Sequence, residues 1–147
     1  ITAFHDAGIM VSAEMMIGTD SETEGSIKAT LAFISRTKLP LIRMYFLTPI
    51  PGTPFYDQLK KERRLIHERY EEYTGAKCVY LPAKITPADL TRRFWWLNRR
   101  VFGMKNIIGR TVLHKNFLRE PLLYLMALAT NLHYRQSVKR GDVPVML

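Results

Sequence analysis

The chain has 147 residues, of which 47% are hydrophobic, and a single cysteine. That balance excludes a disordered or fibrous polypeptide, and one cysteine excludes an internal disulfide. The net charge of +9 is uneven: residues 1–60 hold five Lys/Arg against six Asp/Glu, while residues 61–147 hold seventeen against seven. A basic second half suits nucleic acid, anionic lipid or an acidic partner, and equally an ordinary solvated face.

No run approaches the roughly 20 apolar residues that cross a bilayer. The best stretch, residues 122–129, runs straight into Thr130, Asn131 and His133. The first eight residues show no basic region followed by an apolar one, and they lack an initiator Met, so a start upstream is expected. Cys78 fits a reducing, cytoplasmic setting and reads as a small apolar residue in a short strand.

Residues 8–18 alternate as a strand. Ile9, Val11, Ala13, Met15 and Ile17 share an apolar face, and Met10, Ser12, Glu14, Met16 and Gly18 share the other. A turn rich in capping residues follows, with Ser21 and Glu24 at capping-box spacing. A helix to about residue 36 presents Ile27, Leu31 and Ile34 on one side, and Pro40 forbids its continuation. Residues 41–47 predict a second strand, with Ile42, Met44 and Phe46 opposite Leu41, Arg43, Tyr45 and Leu47. The turn from Thr48 through Pro49, Ile50, Pro51 and Gly52 leads to Thr53, a fitting N-cap, and Pro54 at the first helical position.

Strand, helix, strand, helix is the order of parallel βαβ units. Residues 65–85 are irregular, with a short strand expected over 77–81. Thr86 opens a helix whose apolar stripe is Leu90, Phe94, Leu97 and Val101, and Pro121 starts a last helix to about residue 138. Two parallel strands are too few for a parallel sheet covered on both faces, so further strands are expected N-terminal to Ile1. Alone, the chain is expected to associate through raw sheet edges.

The segments Met16-Ile17-Gly18-Thr19-Asp20-Ser21-Glu22-Thr23 and Leu47-Thr48-Pro49-Ile50-Pro51-Gly52-Thr53-Pro54, about 30 residues apart, resemble the C-terminal half of the radical S-adenosylmethionine (SAM) barrel. The branch resembled also carries an N-terminal cobalamin-binding domain. The Tyr-rich linker, Leu81-Pro82, Thr86-Pro87-Ala88-Asp89-Leu90 and Phe94-Trp95-Trp96-Leu97 are similar to the extension that follows the barrel there. Asn131-Leu132-His133-Tyr134-Arg135 is similar to members linked to hopanoid modification. The fold this implies is α/β: two parallel βα units of a partial TIM-like barrel (residues 1–64), an irregular linker (65–85) and an α-helical extension (86–147).

The resemblance implies S-adenosylmethionine and a 4Fe-4S cluster in a parent enzyme, with cobalamin in this branch, and methyl transfer or a related modification of an inert carbon on a small molecule or lipid. The partner implied is the N-terminal part of the barrel. Apart from the resemblance, the basic tail and the helix over residues 122–129 either rest the enzyme on a membrane surface or simply cap the barrel. The cluster cysteines, spaced C-x-x-x-C-x-x-C, are not in this chain, which is therefore expected to be inactive alone. The residues implied to face cofactor and substrate are Ser12, Glu14, Met16, Gly18, Arg43, Tyr45, Leu47, Thr48 and Pro49.

Glu14 and Arg43 share the inferred inner face and are expected to meet, either as a strut between strands or as ligand contacts. Gly18 is expected to let backbone approach a ligand. Glu22, Thr23 and Asp20 read as helix-capping residues before ligand contacts. His5, His67, His114 and His133 have no metal-ligand spacing and read as surface or hydrogen-bonded side chains. The alternative is a basic helical module that binds nucleic acid or anionic membrane through residues 61–147, although no nucleic-acid motif is present.

Overall fold

In the computed structural model, which describes residues 1–144, two parallel strands form the only sheet among the described residues. Strand β1 is Ser12–Ile17 and strand β2 is Leu41–Phe46. Helix α2 (Glu24–Thr37) crosses between them, and a short helix α1 (Thr2–Asp6) precedes them. The register pairs Ser12 with Leu41, Glu14 with Arg43 and Met16 with Tyr45. Leu47 N–H adds a further rung to Ile17 C=O at 2.8 Å.

The strand expected over residues 8–18 begins only at Ser12. Gly8 has φ +82°, and Ile9 N–H turns back to Phe4 C=O at 2.8 Å, so this stretch closes the end of α1. Alternation continues through residues 9 and 11, but strand β2 begins only after Pro40 and offers them no partner.

The capping box of α2 lies two residues beyond its expected place. Thr23 Oγ1 accepts from Ser26 N–H (3.1 Å), and Ser26 Oγ accepts from Thr23 N–H (2.9 Å). Ser21 instead pairs with the Thr19 hydroxyl, and Glu24 reaches Lys28 and Arg93. Serine takes the reciprocal role that glutamate fills in the usual box. Lys38, in the left-handed region at φ 47°, ends the helix.

One sheet face is packed and the other is open. Ile17, Ile42, Met44 and Phe46 bury against Ile27 and Ile34 of α2. Helix α4 (Pro87–Val101) adds Leu90, Phe94, Leu97 and Val101, the stripe expected from the sequence. The Phe46 and Phe94 rings stack at 4.2 Å. Each such buried side chain contributes about 1.5–3 kcal/mol before entropy is charged against it. On the other face Ser12, Glu14 and Met16 are exposed, and Leu41, Arg43 and Tyr45 are half-buried.

Helix α3 (Pro54–Lys61) starts at Thr53, whose Oγ1 accepts from Tyr56 N–H (3.3 Å). The strand expected over residues 77–81 reduces to a single antiparallel bridge, Leu65 with Tyr80. A 3-10 turn at Tyr70–Glu72 occupies the chain between them. Helix α5 (Met104–Arg110) was not legible: it is seven residues long, and its N-cap, Gly103, makes no side-chain cap bond. Helix α6 (Pro121–Arg140) runs two residues past its expected end and stops at Gly141, φ +84°. The architecture is therefore α/β with helices, as expected, but the described strands do not close a barrel. Among the described residues no helix is long and apolar enough to cross a membrane.

Candidate functional site

The open face of β1 and β2 and the turns at their C-terminal ends gather most of the implied site. Ser12, Glu14 and Met16 line up beside Arg43 and Tyr45 because both strands alternate in the same phase. Glu14 and Arg43 meet in an ion pair. The Arg43 side chain is 14% exposed and that of Glu14 57%. The pair is thus an arginine laid along the sheet with its partner facing solvent.

Tyr45 donates its hydroxyl to Pro144 C=O at 3.1 Å, so the C-terminal segment crosses this face. Helix α6 leans on the start of β2, where Asn131 Nδ2 donates to Pro40 C=O (2.8 Å). A cavity of about 150 Å³ lies there between Ser12, Arg43, Thr130, His133 and Tyr134. Met16, by contrast, is 67% exposed at the far end of β1.

The turns are held rigidly. Thr48 Oγ1 donates to Phe46 C=O (3.1 Å), Pro49 is buried, and Thr53 Oγ1 donates to Ile50 C=O (2.7 Å). Asp20 receives both Arg64 and the Ala83 N–H, tying the turn after β1 to the linker. The Arg64 guanidinium holds the Asp20 carboxyl below the usual carboxylate range. Thr23 caps α2 as expected, but Glu22 does not. It is buried and accepts from Gly18 N–H (3.1 Å) and from Ser26 Oγ, which closes the turn.

Gly18 corrects one expectation. It does not continue the open face of Ser12, Glu14 and Met16. Its φ of +113° turns it inward, where a Cβ would lie 3.3 Å from both Leu90 Cδ2 and the Tyr80 hydroxyl. The close approach glycine permits here is between parts of the chain itself.

His5 and His114 are of the hydrogen-bonded kind rather than the surface kind: both are buried, and their rings sit 4.7 Å apart, edge to face. They lie 109 residues apart in the chain, so no spacing signal could pair them. Arg110 and Asn131 form a second buried polar contact absent from any sequence pattern.

Chemically the open face is a wall. It offers an ion pair, a serine, a tyrosine already bonded and an exposed methionine, with no nucleophile set against a base. Nor does the chain supply ligands for an iron–sulfur cluster. Cys78 is its only cysteine, buried, with its thiol donating to Tyr80 C=O (3.1 Å) and pushed up by burial. Among the described residues no three His, Cys, Asp or Glu converge as a metal site.

No family model matches the chain. Over 110 residues, 75% of its length, it is 27% identical to the bacteriochlorophyllide d C-12(1)-methyltransferase of Chlorobaculum tepidum. Over 65 residues, 44% of its length, it is 32% identical to the hopanoid C-2 methylase of Rhodopseudomonas palustris. The matched region spans 24% of the first protein and 12% of the second. Both relatives are named for adding a methyl group.

Proposed function

We propose that this chain is the C-terminal wall of a radical SAM barrel with its helical extension, belonging to a methylating enzyme of the cobalamin-linked branch. One observation carries the reading. Three quarters of the chain aligns with about a quarter of a methyltransferase, and the chain holds a parallel sheet whose polar face and β1 edge have no strand partner among the described residues. Those are the surfaces a fuller barrel covers.

In that setting the chain's residues position rather than react. Arg43 and Glu14 hold the strands in register across the face. Met16, Leu47, Thr48 and Pro49 shape the strand ends, where a barrel enzyme places substrate and the adenosine end of S-adenosylmethionine. Asp20, Glu22 and Arg64 tie down the turn after β1. The cluster, when bound in the parent, supplies the radical chemistry, and its ligands belong to another part of the polypeptide. The chain by itself is then not catalytic.

The basic-module alternative is only partly opposed by the placement of charge. On α4, Arg92 pairs with Asp89 and Arg93 with Glu24, whereas Arg99 lines a cavity with Arg135 and Lys139.

The test is the reading frame upstream of Ile1, followed by production of the whole polypeptide without oxygen. A C-x-x-x-C-x-x-C triad, a 4Fe-4S signal in electron paramagnetic resonance and methyl transfer from S-adenosylmethionine support the proposal. An upstream frame without the triad overturns it.

A further inference from the structure

Helix α6 presents two opposite sides of different fate. Tyr124, Ala127, Asn131, Tyr134 and Val138 recur at three- and four-residue steps and are buried against the body. Leu122, Leu125, Met126, Ala129 and Leu132 recur at the same steps half a turn around the helix, and all are exposed. Leu122 is 73% exposed and Met126 61%, while Leu118, just before the helix, is 90% exposed. The helix therefore caps the fold with one side and leaves an apolar stripe open on the other. A run of exposed apolar side chains of this kind marks an interaction surface.

Charge frames the stripe. Over residues 99–141 nine Lys/Arg stand against one carboxylate, Glu120. Arg110 is buried and Lys115 binds Asp6, so seven remain. Arg119 precedes the helix, Lys139 and Arg140 end it, and all three are exposed. Arg140 lies 3.6 Å from Asp142. From Leu122 to Leu132 the stripe is about 15 Å long, half of what crosses a bilayer, which suits a helix lying flat.

We propose that this side of α6 rests in the surface of an anionic bilayer. Leu122, Leu125, Met126 and Leu132 enter the acyl boundary, and Arg119, Lys139 and Arg140 meet the headgroup phosphates. A membrane surface is the partner that joins an apolar layer to an anionic one. A second copy of the chain would bring one surplus of positive charge against another. Further barrel strands would join at the β1 edge and the polar sheet face. The stripe lies on the side of α6 turned away from Asn131, which is bonded to the start of β2. The contact is independent of the reaction the parent performs.

The experiment is co-sedimentation of the purified chain with vesicles of equal parts phosphatidylglycerol and phosphatidylcholine, against phosphatidylcholine alone. Stronger binding to the anionic vesicles is expected, weakening as salt rises. Leu122→Gln and Met126→Gln each lower the partition coefficient about tenfold. Lys139→Gln combined with Arg140→Gln lowers it about as much. All four side chains are exposed, so the midpoint of urea unfolding should stay where it is. An environment-sensitive fluorophore attached through Met126→Cys reports the contact itself, because Cys78 is buried. Its emission should shift to the blue on anionic vesicles. Equal binding to both vesicle types, variants that bind like the unaltered chain, or an unshifted fluorophore overturn the proposal. So does a whole polypeptide that stays unbound where this chain binds, since the rest of the parent then covers the stripe. Variants that change only self-association overturn it too, since a second copy is then the occupant.

Discussion

Glu14 and Arg43 are register partners in the parallel ladder and form an ion pair on the face that no helix of the packed layer covers. More than half of the Glu14 side chain is exposed, so solvent screens the pair. Glu14→Gln is expected to cost less than about 1 kcal/mol in this chain, read from urea unfolding. In the complete parent, where further strands would cover the face, the same change costs more, because it leaves Arg43 buried and unpaired. Equal, small losses in both settings would count against a covered face.

Gly18→Ala is expected to destabilise by about 1–3 kcal/mol. The positive φ of +113° disfavours any Cβ, and the new atom would press on Leu90 and Tyr80. The measurement is the midpoint of thermal or urea unfolding. An unchanged midpoint would mean that the turn after β1 relaxes freely despite its Glu22 and Asp20 ties.

Elements with a periodic or capping signal were legible in the sequence. The stripe of Leu90, Phe94, Leu97 and Val101, the caps at Thr53 and Thr86, and the opposite faces of both strands follow from spacing alone. The meeting of Glu14 with Arg43 followed from counting back from two strand ends. What stayed hidden depends on contacts between distant positions. Nothing near Gly18 announces that Tyr80 and Leu90 will pack on it, and the His5–His114 contact closes over most of the chain's length. Helix α5 escaped because its seven residues carry no capping side chain and too few apolar positions to show a period.

Asn131 joins three elements. Its amide donates to Pro40 C=O (2.8 Å) and Ala127 C=O (2.7 Å), and its oxygen accepts from Arg110. Arg110 is 3% exposed, donates to Val101 C=O at 2.5 Å and makes no carboxylate contact among the described residues. Burial draws its guanidinium down to about 10, still charged at neutral pH. Asn131→Ala removes the acceptor from a buried cation and is expected to cost about 3 kcal/mol, measured by urea unfolding.

Cys78 should resist alkylation in the folded chain. Burial raises its thiol, and the Tyr80 carbonyl holds the S–H, so little thiolate is present at pH 8. Iodoacetamide is expected to label it only after denaturation, with the mass increase read by mass spectrometry. Rapid labelling of native protein would show that residues 77–81 open readily.

Stability should fall as pH drops from about 6.5 to about 4. Buried His114 stays neutral down to about 4, because burial first, and then His5, Lys38 and Lys115, oppose its protonation. Unfolded, an imidazole takes up a proton near pH 6.5. In that window the unfolded state binds more protons, so acid favours unfolding. Below it, Asp6 and Asp20, held low by Lys115 and Arg64, add further loss. His114→Phe keeps a ring against Tyr124, which now stacks on the imidazole at 4.7 Å, and removes the titration. Melting temperature against pH should therefore be flatter between 6.5 and 4 in the variant. A variant as steep as the parent chain would move the acid sensitivity to His5 or to the carboxylates.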